Sequence, residues 1–181
     1  MKRTIALALA SLMALCLFAA CGTNAETEET ASPSPSAEAE LTAEERAQLY
    51  AHAITAARGD EENEAYPVLK TGDEITDMYY QVLGITAEDA EAMAMSVSLI
   101  NVKAYGIAVI KPAEGREEAV TTGLQSFIDN QMQSFQNYLA DQYEVAQNAR
   151  LETLDDGTVL LVMCDGQDTV FDAIVSAIEA E

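Results

Sequence analysis

The sequence predicts an α+β fold: an antiparallel sheet of about four strands with helices packed against it, in the order α-α-α-β-β-α-β-β-α. Three observations predict it. Residues 92–113 contain no Asp or Glu and carry two runs in which apolar residues alternate. Asp155-Asp156-Gly157 separates two short apolar runs in the manner of a hairpin turn. Around these lie segments whose apolar residues recur three and four apart, the period of a helix with one buried face.

The chain opens with a targeting segment. Lys2 and Arg3 form a positive flank, and Thr4 to Phe18 is an uncharged apolar run of 15 residues. A bilayer span needs about 20, so this length suits a signal peptide over residues 1–20. The run ends Leu17-Phe18-Ala19-Ala20-Cys21-Gly22. Two small residues before a cysteine resemble the lipobox of bacterial lipoproteins, which implies cleavage before Cys21 and fatty acylation of its thiol. Ordinary cleavage after Ala20 or Ala25 is the plainer alternative. With Cys16 removed and Cys21 acylated, Cys164 is the one remaining thiol and no internal disulfide can form.

Residues 21–40 read as a tether. From Gly22 to Glu40 there is no aromatic or large aliphatic side chain, and Ser32-Pro33-Ser34-Pro35-Ser36 stands among five Glu. Such a stretch has nothing to bury and is expected to stay extended and disordered.

Residues 41–181 are long enough for one core. Thr42-Ala43-Glu44-Glu45 has the form of a capping box, predicting a helix to about Arg58 with Gly59 as its stop. Asp60 to Glu64 is expected to be a polar loop, and Tyr66-Pro67-Val68-Leu69 to be extended because of its proline. Two short helices are predicted next, Glu74 to Leu83 ending at Gly84, and a second capped by Thr86-Ala87-Glu88-Asp89 and running to about Met95. Val97 and Leu99 alternate, as do Tyr105, Ile107 and Val109 after a break near Asn101–Lys103, predicting an antiparallel strand pair ended by Lys111-Pro112.

A long helix is predicted from about Glu114 to Leu139 or a little beyond. Its apolar stripe comprises Val120, Leu124, Phe127, Ile128, Phe135, Tyr138 and Leu139. Arg150–Leu154 and Thr158–Cys164 then form the predicted hairpin. Its second strand, Val159-Leu160-Leu161-Val162-Met163, lacks alternation and should be central and covered on both faces. Asp165 is expected to cap the last helix, which turns Val170, Phe171, Ile174 and Ile178 inward.

From about Tyr79 to Ile178 the chain resembles a family of small bacterial lipoproteins, common in Firmicutes of the gut, that carry one domain of unknown function. The resemblance rests on Leu83-Gly84-Ile85-Thr86-Ala87-Glu88-Asp89, on Asn101 to Val109, on Phe135 to Tyr143, and on Asp155 to Cys164. It implies a lipid-anchored extracytoplasmic protein. It implies no activity, and no catalytic residue is carried over.

Candidate chemistry is sparse. The 31 acidic residues against nine basic ones, a net charge of -22, argue against nucleic acid as a partner and against unaided approach to an anionic membrane. Cys164, at a strand end before a helix, is the candidate for a thiol-dependent redox accessory or enzyme. A cysteine nucleophile wants a histidine base, and the chain has only His52, on the first helix. A buried structural thiol is the simpler reading.

Asp60-Glu61-Glu62-Asn63-Glu64 and Asp155-Asp156-Gly157 offer oxygen ligands for weak divalent-cation binding, but without calcium-loop spacing. Asp165-Gly166 lacks the Gly pattern and the Lys of a phosphate cradle. Among the tyrosines Tyr79, Tyr80, Tyr138 and Tyr143, the stripe assigns Tyr138 to the core and leaves Tyr143 as the surface candidate. The expectation is therefore a non-enzymatic protein on the extracytoplasmic face, with no cofactor, metal or catalytic set. Its membrane attachment is through Cys21, and its partner is an envelope protein or small ligand.

Overall fold

The computed structural model describes residues 41–74 and 76–180 of the chain. The leader 1–20, the lipidation at Cys21 and the tether to residue 40 lie outside the described residues.

The first helix, α1 (Ala43–Ala56), begins as its capping box requires. The Thr42 hydroxyl accepts from Glu45 N–H at 3.3 Å, and the Glu45 carboxylate accepts from Thr42 N–H at 2.9 Å. The helix stops short of Gly59, which is extended and opens α2 (Asp60–Ala65). The expected loop at Asp60–Glu64 is thus a helical turn and a half, favoured by three acidic residues at its N-terminus. Of the stretch Tyr66–Leu69 expected to be extended, Tyr66 closes α2 and Leu69 enters an edge strand, β1 (Leu69–Lys70). Helix α3 (Thr76–Val82) ends at Gly84, whose φ of 72° suits glycine.

The helix expected from Thr86 to Met95 is only one 3-10 turn, Ala87–Asp89, followed directly by β2 (Ala90–Val97). Thr86 does form a capping box, with Asp89. The alanines and methionines after it fill two different cores, and that burial overrides their helix propensity. Strand β3 (Gly106–Pro112) pairs antiparallel with β2, so the break lies at 98–105 and Leu99 is outside the ladder.

The long helix is two. After α4 (Glu117–Phe135) the chain turns, and α5 (Ala140–Gln147) follows. The break places Ala146 in the core and Gln142 under the β2–β3 connection. The hairpin β4 (Arg150–Thr153) and β5 (Val159–Met163) forms as predicted. Helix α6 (Gln167–Glu179) opens on left-handed Gly166, which has no side chain to cap with; the expected cap, Asp165, lies one residue earlier and accepts from Lys103.

The sheet has five antiparallel strands in the order β1-β2-β3-β5-β4, one more than expected, since β1 joins its edge. It is covered on both faces. Met93, Met95, Val97, Ala108, Ile110, Val159, Leu161 and Met163 point to one core, closed by α3, α4 and α5. Ala92, Ala94, Ile107, Val109, Leu160 and Val162 point to the other, closed by α1 and α6. This double coverage explains the unbroken apolar runs. Small residues set close approaches: a Cβ on Gly123 of α4 would lie 2.6 Å from the Gly84 carbonyl oxygen.

Candidate functional site

The two ends of the sheet differ in chemistry. At one end the chain enters the domain. Arg46, in the first turns of α1, lies 3.8 Å from Glu91 at the start of β2, and Arg116, before α4, lies 3.4 Å from Asp89. Beside them the Tyr50 hydroxyl shares a hydrogen bond of 2.8 Å with Thr158, which donates to Asp156 at 2.7 Å. Burial pushes the Asp156 carboxyl up, but the Thr158 bonds, with Lys111 and Arg46, bring it below its usual range.

Helix α1 runs beside β2, so its last residues reach the opposite end. There Arg58, only 8 % exposed, donates to the Ser96 hydroxyl at 2.8 Å, the Tyr105 hydroxyl at 2.5 Å, the Tyr66 carbonyl at 3.2 Å and the Asn63 side chain at 2.6 Å. Tyr66 stacks on Tyr105 with ring centres 4.0 Å apart. Burial pushes the Tyr105 phenol up to about 12 despite Arg58. These bonds tie α1, α2 and the β2–β3 connection together, leaving the Arg58 Nε without a hydrogen-bond partner. Arg58 is a centre that sequence reasoning missed; an Arg at the end of an Ala-rich helix carries no signal that its head is buried.

Cys164 follows β5 at this same end. It is 1 % exposed, and burial, reinforced by Glu62 and Asp165, pushes its thiol up to about 12. Burial is the larger cause, and the neighbouring carboxylates add to it. His52 is far from this environment in kind. It is exposed on α1, in an open cleft of about 310 Å³ with Gln48, Thr55, Lys70 and Asp73. The clefts lie near the lower bound of ligand-site volumes, roughly 300–1,000 Å³, another being about 250 Å³ between α3 and the 3-10 turn.

In each acidic segment one residue is engaged by its neighbours. Asn63 accepts from Arg58, and Asp156 accepts from the Thr158 N–H at 2.8 Å and from its hydroxyl. Among the described residues no group of three or more His, Cys, Asp or Glu is placed to hold a metal ion.

What stands out is the connection at 98–105. Ser98 N–H donates to the Tyr105 carbonyl at 3.1 Å and closes the loop. The Gln142 side chain accepts from Ala104 N–H at 2.9 Å and supports it from below. At its tip Leu99, Ile100 and Val102 are 53–59 % exposed. Tyr138, at the α4–α5 turn, is 63 % exposed at this end of the domain. The tyrosine assignment is thereby reversed: Tyr138 is out and Tyr143 packs against the core, because the helix ends before the stripe reaches Tyr138. Tyr80 is buried and Tyr79 partly so.

Charge borders the tip. Lys103 pairs with Asp165 at 2.6 Å, and that carboxylate holds the ammonium above its usual value. Asp141 lies near enough to act on the same ammonium, and Gln142 donates to it at 2.9 Å, which holds its carboxyl low. The acid-free stretch of residues 92–113 was the available signal; taking Leu99 for a strand residue hid it.

These features define a small three-layer α+β domain with packed cores and an apolar tip at one end of its sheet. The family model described as a domain of unknown function, DUF4358, matches residues 64–164, and the chain belongs to that family. The match runs from the end of α2 through β5 and includes the tip, while α1 and α6 fall outside it. No curated protein and no solved structure matches the chain.

Proposed function

We propose that this chain is a lipid-anchored extracytoplasmic protein, attached to the cell membrane through acyl chains on Cys21, whose domain binds an envelope partner without catalysing a reaction. The observation that carries the binding role is the exposed set Leu99, Ile100 and Val102 on an otherwise charge-coated domain. Large aliphatics side by side on a solvent-facing loop lose favourable burial unless something covers them. The anchor reading is supported by the leader, by Ala19-Ala20-Cys21 and by the tether composition. A thiol-dependent role draws no support from a Cys164 that is buried and hard to ionise.

Two measurements test the two halves. The full chain should sediment with membranes and carry an acylated N-terminal cysteine, and Cys21→Ser should be released. A soluble wild-type chain would overturn the anchor. Native pull-down from solubilised envelope should retain a saturable partner that is lost with Leu99→Ser/Ile100→Ser/Val102→Ser. Retention unaffected by that variant would overturn the binding role of the tip.

A further inference from the structure

The tip lies at the end of the sheet opposite the start of α1. Leu41 and Thr42 precede α1, whose Arg46 meets Glu91 at the start of β2. The tip begins where β2 ends, after Val97. Eight residues of strand separate the two, about 26 Å at 3.3 Å per residue. α4 has the same orientation, from Arg116 beside Asp89 to a turn whose following helix supports Ala104.

Three occupants compete for an apolar tip: a lipid surface, a second copy of the chain, and a different protein. Charge disfavours a lipid surface, since residues 41–181 carry seven Lys and Arg against 26 Asp and Glu, a net of -19. A second copy carries the same net of -19, so a tip-to-tip contact would bring two like-charged domains together, with Asp141 of each beside the contact. The remaining occupant answers both the apolar tip and the acidic charge.

We propose that the tip is a docking surface for a protein with an apolar pocket rimmed by Lys or Arg. Leu99, Ile100 and Val102 enter the pocket, while Asp141 and Asp165 face the basic rim. Aliphatic anchors supply the buried area, and the carboxylates set orientation and association rate. This rests on the binding half of the proposed function and is independent of the lipid anchor.

The probe is a Leu/Lys amphipathic helical peptide, which presents an apolar stripe flanked by ammonium groups. It is titrated into residues 22–181, which keep the whole three-layer unit with both cores. Binding should weaken about tenfold or more in Leu99→Ser/Ile100→Ser/Val102→Ser, and several-fold in Asp141→Asn/Asp165→Asn. Glu117→Gln/Glu118→Gln, at the far end of α4, removes the same charge and should leave binding unchanged. Backbone amide shifts in the unsubstituted protein should move at 98–104 and 138–142, a readout that needs no variant.

Equal loss in the Glu117/Glu118 variant would mean attraction by net charge alone and would overturn the proposal. So would absent binding, or shifts centred elsewhere. Tip-dependent flotation with phosphatidylglycerol vesicles would assign the surface to lipid, and a tip-dependent dimer in sedimentation would assign it to a second copy. Either outcome replaces the proposal, and none of these outcomes touches the Cys21 anchor.

Discussion

Replacing Gly123 by alanine sets two physical effects against each other. In an exposed helix interior, Gly→Ala stabilises by about 0.5–1 kcal/mol, because glycine loses more backbone freedom on folding. At Gly123 the new methyl would lie 2.5 Å from Ile85 Cγ2 and 2.6 Å from the Gly84 carbonyl oxygen. Ile85 can shift its side chain, but the Gly84 oxygen is backbone in a turn at φ 72° and has little freedom to yield. Overpacking of this kind costs about 1–3 kcal/mol, so the net expectation is destabilisation of about 1–2 kcal/mol. For a domain of this size that lowers the melting temperature by about 3–10 °C. Urea denaturation followed by circular dichroism measures it, with Ser126→Ala on the exposed side of α4 as the comparison. A Gly123→Ala protein as stable as wild type, or more so, would refute the close approach of α4 to the Gly84 turn.

Arg58→Met should lower stability by about 3 kcal/mol in the same assay, because the hydroxyls of Ser96 and Tyr105 and the Tyr66 carbonyl lose a buried charged donor. Cys164 should resist iodoacetamide in the native chain and react on unfolding in urea: with its thiol pushed up to about 12, only about 10⁻⁴ of it is thiolate at pH 8. The Asp89 carboxyl is held below its usual range, first by the Thr86 hydroxyl and then by the Thr86 N–H. A depressed folded-state value contributes stability above the unfolded value near 4 and loses it as pH falls further. Urea midpoints should therefore drop between pH 5 and 3, and the drop should shrink in Asp89→Asn.

The hairpin β4–β5 was legible because Asp-Asp-Gly is turn chemistry and a five-residue apolar run beside it, with valine at both ends of Val159–Val162, fits a covered strand. Residues 86–97 were misjudged for a physical reason. Alanine and methionine favour helix locally, and nothing near Ala92 reveals that α1 will press alanines of its own against that face. The small side chains Ala47 and Ala53 of α1 and Ala92 and Ala94 of β2 are better understood as a matched close-packed layer. The helix end at Phe135 was equally hidden, since Gln136-Asn137 is a weak punctuation and the reward for stopping, Gln142 under Ala104, is long-range. The site followed the same rule. Leu99 looked like strand because it alternates with Val97, with the break placed near Asn101–Lys103, and only the ladder's end at Val97 shows that the projecting tip starts earlier.

The placement of the start of α1 and the tip at opposite ends of the sheet also has a mechanical meaning. Tension between an anchored Leu41 and a held β2–β3 connection would act along β2 and along the axis of α1. Interstrand hydrogen bonds lie across that direction. They would be sheared as a group, together with the interlocked side chains of α1, instead of being opened one after another from an edge. The same arrangement that turns the tip outward would let the domain hold against a pull applied through it.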